Sequence, residues 1–461
     1  MNSANAGTTH SDDVSSSTAP APAPAPTAGR TSSPRTVELN GANVIEESER
    51  KGSPRHLFWP WFASNVSVFG ISYGSFLLGF GVSFWQAIVV GIVGIAISFF
   101  LCGVIALAGK RGNAPTMTLG RAAFGVNGNK VPSILAWVLT VGWETVLTSL
   151  AVLATATIFK AVGWNGGAAT KITALLVVAG LIVAGGVLGF DFIMKLQKYI
   201  TIVTGVLTVV YFILVVHTID WTAISELPAG RSPAVIGGFV FMMTGFGLGW
   251  VISAADYSRY LPRKSSSGGV VWWTTFGSSL APVLLLLFGL LLAGSSKSLS
   301  AAMGDDPSID GALMVIGSVY VVFFATSFVG PFQGFLITLG VPVAAWAGIF
   351  LADVQMRRKD YSTGDLFDTR GRYGNIRWVA LGLIGLGTVV GWGLVTNTFA
   401  VWLSWQGYLL GPLGLGGRTG AWAFANVGVL AALAIGYAGT IALQRGSIRR
   451  QESLVSNHGA S

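Results

Sequence analysis

Eleven stretches of about 20 mostly apolar residues follow one another along the chain, and no other feature constrains the fold as strongly. They lie near 59–81, 84–108, 132–159, 172–190, 199–217, 234–255, 271–294, 311–329, 332–352, 377–396 and 421–443. Each is long enough to cross the ~30 Å hydrocarbon core of a bilayer as a helix. Lipid offers no hydrogen bonds to exposed backbone, so helices and closed barrels are the spanning solutions, and runs of this length select helices. Charged residues make up 10% of the 461-residue chain, against roughly 25% in soluble proteins. Too little polar surface remains for a water-soluble fold. The expected class is an all-α integral membrane protein, multi-pass and in contact with membrane lipid.

Lys and Arg set the expected orientation. Lys51 and Arg55 precede the first run; Lys110, Arg111, Arg121 and Lys130 follow the second. Lys195 and Lys198 follow the fourth, and Arg259, Arg263 and Lys264 the sixth. With the N-terminus in the cytoplasm all of these fall inside, as the positive-inside rule requires. Strict alternation then puts Arg357, Arg358, Lys359, Arg370, Arg372 and Arg377 outside, so one crossing is missing between about 295 and 352. Gly330-Pro331 alone separates two runs and predicts a tight helical hairpin. A net charge of +9 raises nucleic acid as a partner, but the charges flank apolar runs, the pattern of topology; no nucleic acid is expected.

The first fifty or so residues are rich in Ser, Thr, Ala and Pro, with alternating Ala and Pro from Ala19 to Pro26. Residues 1–54 therefore read as a disordered cytoplasmic tail. The first apolar run begins only near Leu57, so no cleavable signal peptide is expected. Cys102 is the sole cysteine, and His10, His56, His217 and His458 are scattered without metal-ligand spacing. Around Lys110 the P-loop pattern fails at Val104 and Arg111. Nucleophile elbow, zinc signature and soluble catalytic domain are all missing. An enzyme is not expected and no cofactor is implied; energy would come from an ion gradient (H⁺ or Na⁺), the solute gradient or another protein.

Many transporters contain two inverted repeats, each opening with a broken helix whose freed backbone lines a midplane site. Two runs in matching positions look interrupted. The first carries Asn65, Ser67, Gly70, Ser72 and Gly74; the sixth carries Gly245, Gly247 and Gly249 in Thr244-Gly-Phe-Gly-Leu-Gly-Trp250. The alternative is ordinary helix packing through small residues. That string lacks the third glycine of a nucleotide loop, since Trp250 stands there, and it lies inside an apolar run. In the third run, Gly142-Trp143-Glu144-Thr145 places a carboxylate at membrane depth, where it is costly and by default functional. Glu144 is a candidate for proton coupling or for accepting a substrate N–H; a structural hydrogen bond is the alternative. Trp143 offers a face for a flat ring, or packs.

Together these residues carry a resemblance. Trp59-Pro-Trp-Phe-Ala-Ser-Asn65, Gly112-Asn-Ala-Pro-Thr-Met-Thr-Leu-Gly-Arg121 with Phe124-Gly125, Gly142-Trp143-Glu144, and Gly249-Trp250 followed by Ala254-Ala-Asp-Tyr-Ser-Arg-Tyr-Leu-Pro262 resemble the nucleobase–cation symporter family over roughly 55–400. This is the family of purine–cytosine permeases and their hydantoin, allantoin and thiamine relatives. The resemblance implies an inverted five-helix-repeat symporter fold and a nucleobase-like small-molecule substrate coupled to H⁺ or Na⁺ in the cell membrane. It divides the chain into a transporter core at 55–355, with a first repeat at 59–217 and a shortened second at 234–352. A basic cytoplasmic loop at 356–376, two helices at 377–443 and a tail at 444–461 follow.

It further implies a site in which Trp143 and either Phe246 or Trp250 sandwich the base, with Asn65 and Ser67 lining it and Gly70 near the cation. The polar residue usual one turn after the tryptophan is Leu147 here, with Thr148 or Glu144 as substitutes. Family members have about twelve spans; here Asp305-Asp306-Pro307 runs directly into Ser308-Ile-Asp-Gly311, and the eighth helix is expected to be missing. Asp256 and Arg259, at the inner end of the sixth run, suit an ion pair that sets helix position or gates the inner mouth. A permease for another solute such as an amino acid, and a non-transporting remnant, remain as alternative readings.

Overall fold

The computed structural model describes residues 41–295, 329–397 and 401–454. Every regular element among them is helical. The first apolar run forms two helices, α1 (Phe58–Asn65) and α2 (Phe69–Leu78), separated by a break at Val66–Val68. The second is α3 (Phe84–Gly112), started by a capping box in which Ser83 and Gln86 exchange hydrogen bonds. Left-handed Asn113 ends it. Short helices α4 (Thr116–Leu119) and α5 (Arg121–Phe124) lead to α6 (Lys130–Ala161), the third span. After α7 (Ala168–Val215) and α8 (Trp221–Ser225), the sixth run again forms two helices. These are α9 (Ser232–Gly245) and α10 (Gly247–Trp250). Then come α11 (Ser267–Ser295), α12 (Val329–Met356), α13 (Trp378–Gly393) and α14 (Gly428–Ser453).

Hydrogen bonds sort the helix ends onto two faces. Arg50 reaches Lys110 and Leu261, Lys110 reaches Ser267, and Arg111 reaches Val354 and Arg357. The ends of α3, the sixth span and α12 and the start of α11 thus share one basic face. On the opposite face Gln86 and Gly230 exchange two hydrogen bonds, and Asp220 meets Ser295. The broken pair α1–α2 runs from the basic face outward and α9–α10 runs back, an inverted relation. Tryptophans more than half exposed mark both faces: Trp59, Trp137, Trp272 and Trp378 on the basic side, and Trp85, Trp164, Trp221 and Trp402 on the other. Such belts sit where a bilayer meets water.

Several expectations change. The fourth and fifth runs join in one continuous 48-residue helix, α7, where two separate spans are expected. Its apolar parts are Ala168–Leu188 and Phe192–Thr218. The first packs Ala174 and Leu175 on Val152 of α6, and the second sets Tyr211 and Phe212 on Phe288 of α11. No proline occurs anywhere from Ala168 to Val215, and Lys195 and Lys198 fall inside the second part, where neither ends a helix. The run at 311–329, the hairpin it would form and the expected eighth-helix gap lie almost wholly outside the described residues. Gly330-Pro331 is no turn, because α12 passes through both as part of its first turn, where proline is tolerated.

The basic loop 356–376 lies with the other basic ends. Arg357 is buried, paired with Asp353 at 2.7 Å and held by Gln451 at 3.0 Å. The helix expected from 421 begins at Gly428, after left-handed Asn426. It continues to Ser453, so 444–453 is not tail; Gln444 and Gln451 are buried within it.

The boundary of the N-terminal tail also moves. Within 41–54, Ile45 and Arg50 are buried. Glu47 accepts hydrogen bonds from Arg50 at 2.8 Å, Asn113 at 3.0 Å and Arg263 at 2.5 Å. Arg263 also holds Asp360 at 3.0 Å, so the segment ties the ends of α3, the sixth span and α12 together. Partial burial raises the Glu47 carboxyl, but those three hydrogen bonds outweigh it and hold the group at about 2, below its ordinary 4.5. A depressed carboxylate stabilises the fold above its ordinary pKa and loses that contribution as pH falls through the folded value. Glu47→Gln should therefore speed proteolysis within 41–57 equally from pH 5 to 8, and the gap from the unsubstituted chain should close only in acid below about 4. A gap that changes between pH 6 and 8 would assign the fastening to another group.

Candidate functional site

The two breaks lie at corresponding places in the first and sixth spans, but they are satisfied differently. At the first, Val66 leaves the helix with φ −80° and ψ 89°. Gly70 N–H then bonds Ser67 O at 2.8 Å and Ile71 N–H bonds Val68 O at 3.0 Å, so this break closes on itself. At the second, Phe246 stands at φ −119° and ψ −105°. Tyr73 of α2 donates its hydroxyl to Gly245 O at 3.4 Å and packs its ring on Phe246, with centroids 4.5 Å apart. Ser98 of α3 accepts the Gly247 N–H at 3.1 Å, and the Cys102 thiol donates to Gly247 O at 3.0 Å. A side chain at 247 would collide with the backbone of Ser98 and Phe99, so glycine alone permits this approach.

The third span meets the same region. Trp143 on α6 presents its indole Nε1 to Gly249, 3.5 Å from where a Cβ there would stand. The adjacent Gly142 receives the Phe335 ring of α12 in the space a side chain would fill. Phe69, Trp143 and Phe335 all pack around Val146 and Leu336. An aromatic wall from α2, α6 and α12 thus faces the second break, suited to a flat ring.

The candidate residues fall into three places. Trp143, Phe246 and Ser67 are at or beside the breaks; Asn65 is buried there and donates Nδ2 to Trp61 O at 2.9 Å. Thr148 is buried on the inward stripe of α6. Trp250 lies beyond Gly249 toward the basic face, edge-on to Trp61 at 5.8 Å. Gly70 packs on α11, where a Cβ would approach Leu285 to 3.0 Å. Glu144 is half-buried on the stripe of α6 that includes exposed Trp137 and Leu147, away from the buried Gly142 and Thr145. It makes no hydrogen bond or ion pair with a described residue.

Asp256 and Arg259 do not form the expected pair. Asp256 accepts from the Thr116 N–H and hydroxyl, both at 2.8 Å, while the Thr116 hydroxyl accepts from Ala255 N–H at 2.9 Å. Arg259 donates to Gly41 O at 2.9 Å and to the Tyr260 hydroxyl at 3.0 Å. The N–H groups at the start of α4 make a nearer and better-directed partner for the carboxylate than a side chain one turn on. Tyr73, Ser98, Cys102, Phe335 and Thr116 escaped the sequence reading. For Ser98 and Cys102 a signal exists: they are polar residues four apart on one face of an otherwise apolar span.

Residues 44–329 match the family described as permease for cytosine/purines, uracil, thiamine, allantoin. The chain belongs to this family. A putative purine-cytosine permease, YxlA of Bacillus subtilis (strain 168), is 22% identical over 400 residues, covering 74% of this chain and 85% of the relative. Among solved structures, Mhp1 is a nucleobase-cation-symport-1 family transporter seen in a closed conformation with bromovinylhydantoin bound. It matches with a TM-score of 0.60 at 17% identity, over 90% of this chain and 100% of that one. Its inward-facing conformation matches at 0.55, again at 17% identity, over 91% and 98%. The chain therefore has the fold of these transporters, and it is a multi-pass membrane transporter rather than an enzyme.

Asp256→Ala should cost about 2–3 kcal/mol, because a charge-assisted acceptor is lost and the Thr116 N–H is left buried without one. A lowered thermal midpoint of the detergent-purified protein would show it. An unchanged midpoint would mean that water replaces the carboxylate.

Proposed function

We propose that the protein is a permease for a nucleobase or related heterocycle such as cytosine or a purine, driven by H⁺ or Na⁺. The observation that carries this reading is Trp143 set against Gly249, beside the break at Phe246. An aromatic side chain stands there beside an interrupted helix, an arrangement suited to stacking on a planar ring. The gathering of basic helix ends on one face supports a cytoplasmic N-terminus in the cell membrane. Uptake of labelled cytosine, adenine, uracil and allantoin should be saturable, and lost when the ion gradient is dissipated. Competition by amino acids and not by bases would replace this reading with that of an amino-acid permease. Trp143→Ala should weaken substrate binding about tenfold or more, as loss of a stacking face implies; unchanged affinity would remove Trp143 from the site.

Glu144 is proposed as the proton-coupling group, because a carboxylate at membrane depth is retained for function by default. Glu144→Gln should flatten the dependence of uptake on pH, and an identical profile in the variant would exclude the role.

One observation favours a second reading. Ser295 and Val329 both end on the face opposite the basic one, and the chain between them is shorter than the ~40 residues two crossings need. A chain short of one crossing there suits a protein that binds without transporting. Ligand binding in proteoliposomes with no flux would support that reading over the first.

A further inference from the structure

The break at Phe246 is held from outside, by the second span. We infer that Ser98 and Cys102 are positioning residues for transport, clamping Gly247 so that the sixth helix stays open beside Trp143. Both backbone groups of Gly247 meet α3: its N–H donates to Ser98 Oγ at 3.1 Å, and its C=O, which also accepts the Val251 N–H, takes a second bond from Cys102 Sγ at 3.0 Å. The Ser98 hydroxyl spends its own hydrogen on Ile95 O at 2.9 Å, which turns a lone pair toward Gly247. Both side chains are fully buried, and the collision a side chain at 247 would suffer brings the two backbones together at this point.

The geometry separates positioning from contact with substrate. Gly247 lies between Phe246, which Tyr73 covers, and Gly249, which meets the Trp143 indole. Were the clamp released, Gly247 N–H would lack an acceptor and could regain one only by rewinding toward a continuous helix. Rewinding would turn Gly249 away from Trp143 and narrow the site. Ser98 and Cys102 thus act on the substrate through Gly247, in the way a supporting residue sets the geometry of a binding group.

The sole cysteine allows a test that needs no substrate. The full-length protein in membranes is treated with the permeant thiol reagent N-ethylmaleimide, and the rate of Cys102 labelling is compared between the unsubstituted chain and Ser98→Ala. The inference, which rests on the transport reading only for its uptake arm, expects labelling about tenfold faster in the variant, the factor implied by one unsatisfied buried N–H. Labelling at the unsubstituted rate would overturn it. Should Ser98→Ala fail to fold, Cys102→Ser and Cys102→Val decide instead through the KM for labelled cytosine at matched membrane levels. Serine keeps a donor for Gly247 O and should preserve KM, whereas valine should raise it several-fold with a smaller change in the maximal rate. Equal KM in the two would refute the clamp. If the unsubstituted chain takes up none of cytosine, adenine, uracil and allantoin, the nucleobase reading fails, and the labelling rates still decide whether α3 holds the break.

Discussion

A helix that stops in the middle of a membrane exposes backbone N–H and C=O groups where no water can satisfy them, and the rest of this fold is arranged around that constraint. The first break needs little help, since its short i→i+3 bonds at Ser67 and Val68 close the turn within the span itself. The second break is a different object. Gly245 takes Tyr73 from the first repeat, and Gly247 takes Ser98 and Cys102 from the second span. Tyr73 and Ser98 complete what the sixth helix gives up, and Cys102 adds a second donor to the Gly247 carbonyl that Val251 N–H already holds. The inverted spans are therefore alike in placement and unlike in support: one break carries its own bonds, and the other borrows them.

That difference orders the rest of the packing. Because a Cβ at 247 would strike the backbone of Ser98 and Phe99, the second and sixth spans approach there more closely than any side chain would allow. Gly74 and Gly289 make a similar contact between α2 and α11, each lacking the side chain that would strike the other helix. Without a hydrophobic driving force between helices in lipid, such close approach is what gives van der Waals contact its strength. At the basic face, hydrogen bonds take over from glycines. Asp256 reaches across to Thr116, Glu47 gathers Asn113, Arg50 and Arg263, and Arg357 is enclosed by Asp353 and Gln451. Water is near enough there to make charged groups affordable, and their directionality fixes the register of the helix ends.

What the sequence made legible follows from what hydropathy and composition can report. Spans are long apolar runs, and breaks are clusters of glycine and small polar residues, so both were readable at Asn65–Gly74 and Thr244–Trp250. Partners were not. Asp256 was matched with Arg259 because both stand at the inner end of the sixth run, whereas its hydrogen-bond partner Thr116 lies 140 residues away. Nor did the low-complexity bias of the first fifty residues mark where order begins, for it thins out before Ile45, and one buried isoleucine with one buried arginine makes too weak a periodic signal. The fusion of two apolar runs into α7 escaped for the opposite reason. Charged Lys195 and Lys198 read as a loop, although nothing in that stretch stops a helix.

Trp143 illustrates how the site depends on parts that never face it. Its indole can lie against Gly249 only if α6 comes close to the sixth span, and α6 is placed by Phe335 of α12 filling the hollow at Gly142. A shift of α12 would be felt at Gly142 before it reached any substrate, and a rotation of the sixth span would be felt at Gly249. The tryptophan is thereby coupled to two elements that approach it from different sides, one through a missing side chain behind it and one through a missing side chain in front. Larger residues at either glycine would push the indole off the second break. The glycine contacts at 142 and 249 thus set how near α12 and the sixth span come to the indole.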